Sequence, residues 1–301
     1  MRCLPAGHGP TVDAMRIERA CYLVAAVLFA SGLAHLGVQA VLGGPWDGPV
    51  SWRKPADFGM AFGLTLFAVT WASTWIDVRP RRAVLTGFAA ASVVEVVAIS
   101  VQAWRGVPSH FNTTTPLNSA FAFSAAAGGA VIIVTTLALL RAAFRPSDAT
   151  RGQRLAVQVG FGSLLVGLVI GAVMIAIGTA QARTVSLDAA YDAAVVLVPA
   201  HAAAMQGILV LPILAWLTGF TSWPEPARTR VTALGCAGYL VCAGTIVLEA
   251  FLGFDGFDPA SAPVLGTVVA AAGAALLVGA GVATLAGLDR GSRLRQTAAS
   301  R

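Results

Sequence analysis

Long apolar runs alternate with short polar connectors along the whole chain. Eight runs rich in Ala, Val, Leu, Gly and Ile fall near 20–43, 57–77, 83–104, 119–141, 155–179, 198–220, 231–253 and 263–288. Each is long enough to cross a hydrocarbon layer of ~30 Å as a helix rising ~1.5 Å per residue. The pattern predicts an all-α fold: a polytopic helical membrane protein with eight transmembrane helices.

The connectors set an expected orientation. The two tails and the connectors near 79–82, 141–154 and 228–230 carry sixteen of the twenty Arg and Lys residues. The alternate connectors carry only Arg53, Lys54, Arg105 and Arg183. Basic residues favour the cytoplasmic side, so we expect both termini inside and the connectors 44–56, 105–118, 180–197 and 254–262 outside. The chain then divides into a tail at 1–19, a first four-helix half at 20–141, a basic linker at 142–154, a second half at 155–288 and a basic tail at 289–301. Met15-Arg-Ile-Glu-Arg19 reads as a start in its own right, which would make residues 1–14 dispensable. The halves echo one another: Glu95 and Glu249 fall in the third and seventh spans, and glycine-containing segments open the second and sixth. A repeat of four spans keeps its orientation, so a parallel 4+4 repeat is the expectation.

Composition agrees. Hydrophobic residues make up 57% of the chain and charged residues 11%, with mean hydropathy +0.77. Soluble domains carry about 25% charged residues, so this chain cannot clothe a water-facing surface. The net charge of +6 does not point to nucleic acid, because the basic residues sit in topogenic connectors. The four cysteines form no CxxC spacing, and neither a disulfide framework nor a zinc site follows. Arginine is abundant whereas Lys54 is the sole lysine, as expected of a GC-rich bacterial genome with one position held against the bias. We place the protein in the bacterial cytoplasmic (inner) membrane, with the lipid bilayer as its partner.

One connector is chemically unusual. Gln102-Ala-Trp-Arg-Gly-Val-Pro-Ser-His-Phe-Asn-Thr-Thr-Thr-Pro-Leu-Asn118 packs Arg105, His110 and Asn112 within eight positions, directly after the span that holds Glu95. An ionisable group in hydrocarbon costs roughly 2.5–3.5 kcal/mol or more, so Glu95 needs a partner or a proton and is a candidate functional group. Gln102 lies two turns further along the same face. His35 falls at similar depth in the first span and is a candidate partner for Glu95. His201 and Gln206 open the sixth span, and Glu249 lies a turn inside the seventh. All of these gather in the outer half of the layer, and that one-sidedness points to a single polar site. Each residue also has a bland use: a histidine bonded to a neighbouring carbonyl, an arginine among head groups, a lysine anchoring a Trp-rich belt.

Trp52-Arg-Lys-Pro-Ala-Asp-Phe58, Gln102-Ala-Trp-Arg-Gly-Val-Pro-Ser-His-Phe-Asn112 and His201 with Leu211-Pro212 together carry a resemblance. They resemble a family of bacterial polytopic membrane proteins with W-x-K-P-x-x-F and Q-A-x-R-G-x-x-S-H-F-N segments and no assigned activity. The resemblance implies that Lys54, Arg105, His110, Asn112 and His201 belong together. Some members of that family carry a second histidine where this chain has Gln206, which argues against a two-histidine metal or haem site on that helix.

Three classes of function fit. The first is an outward-facing pocket formed by Glu95, His35, Arg105, His110 and His201, with Lys54, Gln102, Asn112, Gln206 and Glu249 as further ligand-binding candidates. It would bind or transport a small ligand, made anionic by the charges of Arg105 and Lys54. The second is an intramembrane acid–base enzyme acting on a lipid or isoprenoid, with Glu95 and His110 catalytic. The third is a haem or metal redox protein using His35, His110 and His201. The first is preferred, and no cofactor is expected.

Overall fold

Residues 12–254 and 261–299 are described in the computed structural model, with side chains for 15–254 and 261–288. Cys3, His8, Asp255 and Asp258 lie outside the described residues. The helices in chain order are α1 (Val12–Leu42), α2 (Arg53–Ala72), α3 (Arg81–Trp104), α4 (Pro116–Ala143) and α5 (Arg151–Thr184). They continue with α6 (Leu187–Val195), α7 (Val198–Met205), α8 (Gly207–Thr218), α9 (Glu225–Phe251) and α10 (Val264–Ala299). No strand occurs among the described residues. Among the described residues eight helical spans are long and apolar enough to cross a membrane, with α7 and α8 together forming the sixth. Large apolar side chains such as Leu23, Phe123, Val134, Val268 and Leu285 stand more than half exposed on the outside. Such a surface is stable against lipid and not against water.

Several helices start earlier than the apolar runs, because local chemistry starts them there. The second begins at Arg53 rather than 57, with Pro55 in its first turn, where a missing N–H costs nothing. The fourth begins at Pro116, capped by the Thr115 hydroxyl on the Asn118 N–H. The fifth begins at Arg151 behind a reciprocal Thr150–Gln153 capping box. The early start of α2 puts Lys54 on a helix instead of in a connector. The connector expected at 180–197 contains a helix of its own, α6, capped by Ser186.

Small residues let the helices approach closely. Gly59 and Gly63 of α2 face Gly32 and Ala25 of α1 so tightly that a Cβ on Gly59 would meet the Gly32 amide at 2.6 Å. Gly238 of α9 and Gly273 of α10 repeat the arrangement. In the first half α1 packs on α2 and α3, α2 on α3, and α3 on α4. In the second half α5 packs on α7, α8 and α9, both of those helices on α9, and α9 on α10. Contacts of α4 with α5 and of α2 with α8 join the halves. At the arginine-rich end, Arg81 closes α3 onto α1 through Glu18 at 2.7 Å.

Candidate functional site

The site lies at the arginine-poor end, where the loops after α1, α3 and α5 gather. The α3–α4 loop does not arch away from the bundle. Helix α3 ends in a Schellman turn: the Val107 N–H donates to the Gln102 carbonyl and the Gly106 N–H to that of Ala103, with Gly106 at φ 67°. This turns the chain inward. Arg105 then ties the two ends of the loop together, donating to the Gln102 amide oxygen and, at 2.9 Å, to Asn118 Oδ1 on α4. Gln102, fully buried, reaches Asn118 and the Pro108 carbonyl. Asn112 staples the loop from within: its Oδ1 accepts from the Thr114 N–H and hydroxyl, and its amide donates to the Pro108 carbonyl.

Between these ties, Ser109, His110 and Phe111 are pushed into the bundle. Phe111 takes φ 63°, a left-handed conformation unusual for a bulky side chain. It is held there by packing. Its ring lies on Gly178 of α5, where a Cβ would come within 2.3 Å of the ring carbon Cζ, and it meets Tyr191 edge-on at 5.7 Å. The His110 ring lies 5.7 Å from Phe58 of α2, and Ser109 Oγ is 3.2 Å from His110 Nδ1.

Lys54 is the centre of the cluster. Its ammonium donates to the Tyr191 hydroxyl at 2.5 Å and stands 4.6 Å from the centroid of the same ring. The Ser109 hydroxyl and the His110 backbone also reach the Tyr191 oxygen. Lys54 lies within electrostatic reach of both Glu95 and His110. Among the described residues it makes no ion pair within 4.0 Å. Glu95, 7% exposed, lies deeper, against Gly128 and Gly129 of α4, which leave room for its carboxyl group. Burial and the Lys54 charge hold His110 well below the usual histidine range, so it is neutral. Burial pushes the Tyr191 phenol up to about 12, so it keeps its proton.

Of the residues expected to form one site, Lys54, Glu95 and His110 come together, with Gln102, Arg105 and Asn112 as the rim that shapes the loop. The others sit elsewhere. His35 is in an aromatic cluster with Trp52 and Trp104, and both its nitrogens are engaged. Nδ1 faces the Ser31 carbonyl at 2.8 Å and Nε2 accepts from the Trp104 indole at 3.2 Å. That pattern assigns the neutral Nδ1–H tautomer, and it puts Lys54, not His35, in the place of a cation for Glu95. His201 donates from Nδ1 to the Gly167 carbonyl at 2.7 Å, its ring filling a notch at Gly171. Gln206 is exposed at the junction of α7 and α8. Glu249 is buried beside Gly266, and its Oε1 has no hydrogen-bond partner among the described residues. Tyr191 went unmarked by the sequence reading. One of three tyrosines, it sits three residues after Asp188 in the first turn of α6, and that short helix capped by Ser186 was the signal available.

Among the described residues no three His, Cys, Asp or Glu side chains are placed to hold one metal ion. A hollow at the opposite, arginine-rich end is lined by Trp75, Asp77, Ser147, Asp148 and Gln153 and shares no residue with the Lys54 cluster. The arrangement presents a cation in an aromatic and hydroxyl cup, with a carboxyl group beneath it. Comparison of the chain with protein-family models, with curated proteins and with solved structures returns no match.

Proposed function

We propose that this is a multi-pass protein of a bacterial cytoplasmic membrane, with both termini inside, that binds a small anion at Lys54 and carries it across, Glu95 exchanging a proton. The observation that carries the reading is the Lys54 contact set. A half-buried ammonium that meets a phenol instead of a carboxylate retains unneutralised charge in a medium where charge is costly. The Tyr191 hydroxyl occupies the place an anion's oxygen would take. The same pairings of helices in both halves support a parallel 4+4 repeat, and the sixteen-to-four distribution of basic residues supports the orientation.

The test is flux in proteoliposomes with two probes, benzoate and inorganic phosphate. Uptake of one probe by the wild-type protein, abolished in Lys54→Gln and stimulated by an inward proton gradient, is expected. Flux of neither probe, or equal flux in the variant, contradicts the reading.

A further inference from the structure

The break in the sixth span has a specific cause. Gly207 N–H would ordinarily donate to the carbonyl four residues back, that of Ala203. Instead the Tyr239 hydroxyl, from α9, stands inside that rung. It accepts from the Gly207 N–H at 2.7 Å and lies 2.6 Å from the Ala203 carbonyl and 2.9 Å from that of Ala204. One phenol thus takes up both the donor and the acceptor that the helix would have paired with each other. Gly207 is needed for this, since a Cβ there would sit 2.2 Å from Ser163 Oγ and 2.8 Å from Tyr239 Cε1. Tyr239 is 5% exposed, and α9 packs on both α7 and α8. A side chain inserted into the ladder is a recognised origin of a sharp bend.

The broken rung can also close on itself. With the hydroxyl withdrawn, Gly207 N–H and Ala203 carbonyl satisfy each other, and the Tyr239 hydroxyl turns to Ser163, already within its reach. The span therefore has two satisfied arrangements, which is what a switching element needs. The piece on the far side of the break carries the site. Helix α7 is joined to α6 through Val196 and Leu197, with the Leu197 N–H on the Ala194 carbonyl and the His201 N–H on that of Leu197. Tyr191, the Lys54 partner, rides on α6. Helix α7 is held to α5 by the His201–Gly167 hydrogen bond, by Met205 seated on Gly167 and by a buried apolar patch of Ala200 and Ala204 on Ile170, none of which a pivot at Gly207 has to break.

We propose that the Tyr239 hydroxyl is a removable pin that holds the sixth span broken, and that its withdrawal straightens the span and draws Tyr191 off Lys54. The inference rests on the Lys54 site being the one that opens, but the pin itself requires no ligand. Swinging the eight residues of α7, at ~1.5 Å rise each, through about 20° would move its far end by roughly 4 Å.

The experiment is Tyr239→Phe in a background with native cysteines replaced by alanine, spin-labelled at Asp188→Cys on α6 and Thr113→Cys in the α3–α4 loop. Both label positions are exposed. The distance between them should change by several ångströms relative to the unsubstituted protein. Hydrogen exchange of the peptide spanning Gly207 should stay slow, because the rung has closed. An unchanged distance, or fast exchange at Gly207 marking an orphaned N–H, overturns the proposal. Gly207→Ala keeps the tyrosine but displaces its hydroxyl, and should give the same change in distance; it decides the matter if Tyr239→Phe does not fold. If the distance changes while no anion is carried, the proposed function falls and the pin stands.

Discussion

Replacing Gly178 with alanine should unseat the α3–α4 loop without unfolding the bundle. The added methyl group would lie 2.3 Å from Phe111 Cζ and 2.4 Å from Cε1, distances no packed carbon pair tolerates. The backbone of α5 cannot retreat, because Gly178 sits inside a continuous helix. Phe111 must leave. Its departure forfeits roughly 1.5–3 kcal/mol of burial and about 0.5–1.5 kcal/mol of edge-on contact with Tyr191. It also relieves about 1–2 kcal/mol of left-handed backbone strain. The net loss is about 2 kcal/mol, or roughly thirtyfold in the population of the displaced loop at 1.4 kcal/mol per factor of ten. The assay is the rate of thiol modification of Ser109→Cys, a position 7% exposed, by a water-soluble maleimide. Modification should accelerate about thirtyfold while the midpoint of thermal unfolding moves little. A rate unchanged by Gly178→Ala would mean that Phe111 is not the loop's anchor, and the account of how the cluster is held closed would fail.

Three further outcomes follow from the same geometry. His110 is held below its value of about 6.5 in an unfolded chain, so between the two values the unfolded chain binds more protons and stability falls as pH drops below about 6.5; the slope of the unfolding midpoint against pH from 7 to 5 should shrink in His110→Gln, and an identical slope would refute the assignment. Glu95→Gln keeps the shape of the side chain but cannot ionise, so it should fold and carry anion without response to a proton gradient; full proton stimulation in this variant would remove Glu95 from the coupling. Cysteines placed at exposed Thr113 and exposed Asp148 should label with an impermeant reagent from opposite sides of the membrane, and labelling of both from one side would overturn the eight-span topology.

The spans were legible in the sequence because hydrocarbon leaves a helix no alternative to a long apolar run. Their first turns were less so. Apolarity begins after the capping residues, so Arg53, Pro116 and Arg151 were assigned to connectors although Pro55, Thr115 and the Thr150–Gln153 pair signalled otherwise. Lys54 was legible as an anomaly, the sole lysine of the chain. What it touches was not, because Tyr191 lies 137 residues away on a helix that the connector concealed. His35 shows the same limit from the other side. Its depth matched that of Glu95, but depth does not fix the direction of a side chain around a helix axis, and the Trp104 indole claims it. The break in the sixth span depends on a hydroxyl 32 residues further along, so Gly207 and Pro212 alone could not reveal it.

Because Lys54 is the sole lysine, its accessibility can be read directly. Reductive methylation of the purified protein, followed by mass spectrometry of the peptide containing residue 54, gives one rate for one side chain. A half-buried ammonium covered by Tyr191 and able to bind an anion should react slowly in the wild-type protein. It should react faster in Gly178→Ala, and saturating benzoate or phosphate, whichever is carried, should slow the variant again. A Lys54 that reacts as fast as free lysine, or that no anion protects once the loop is displaced, would contradict the claim that this cluster is a closed anion site.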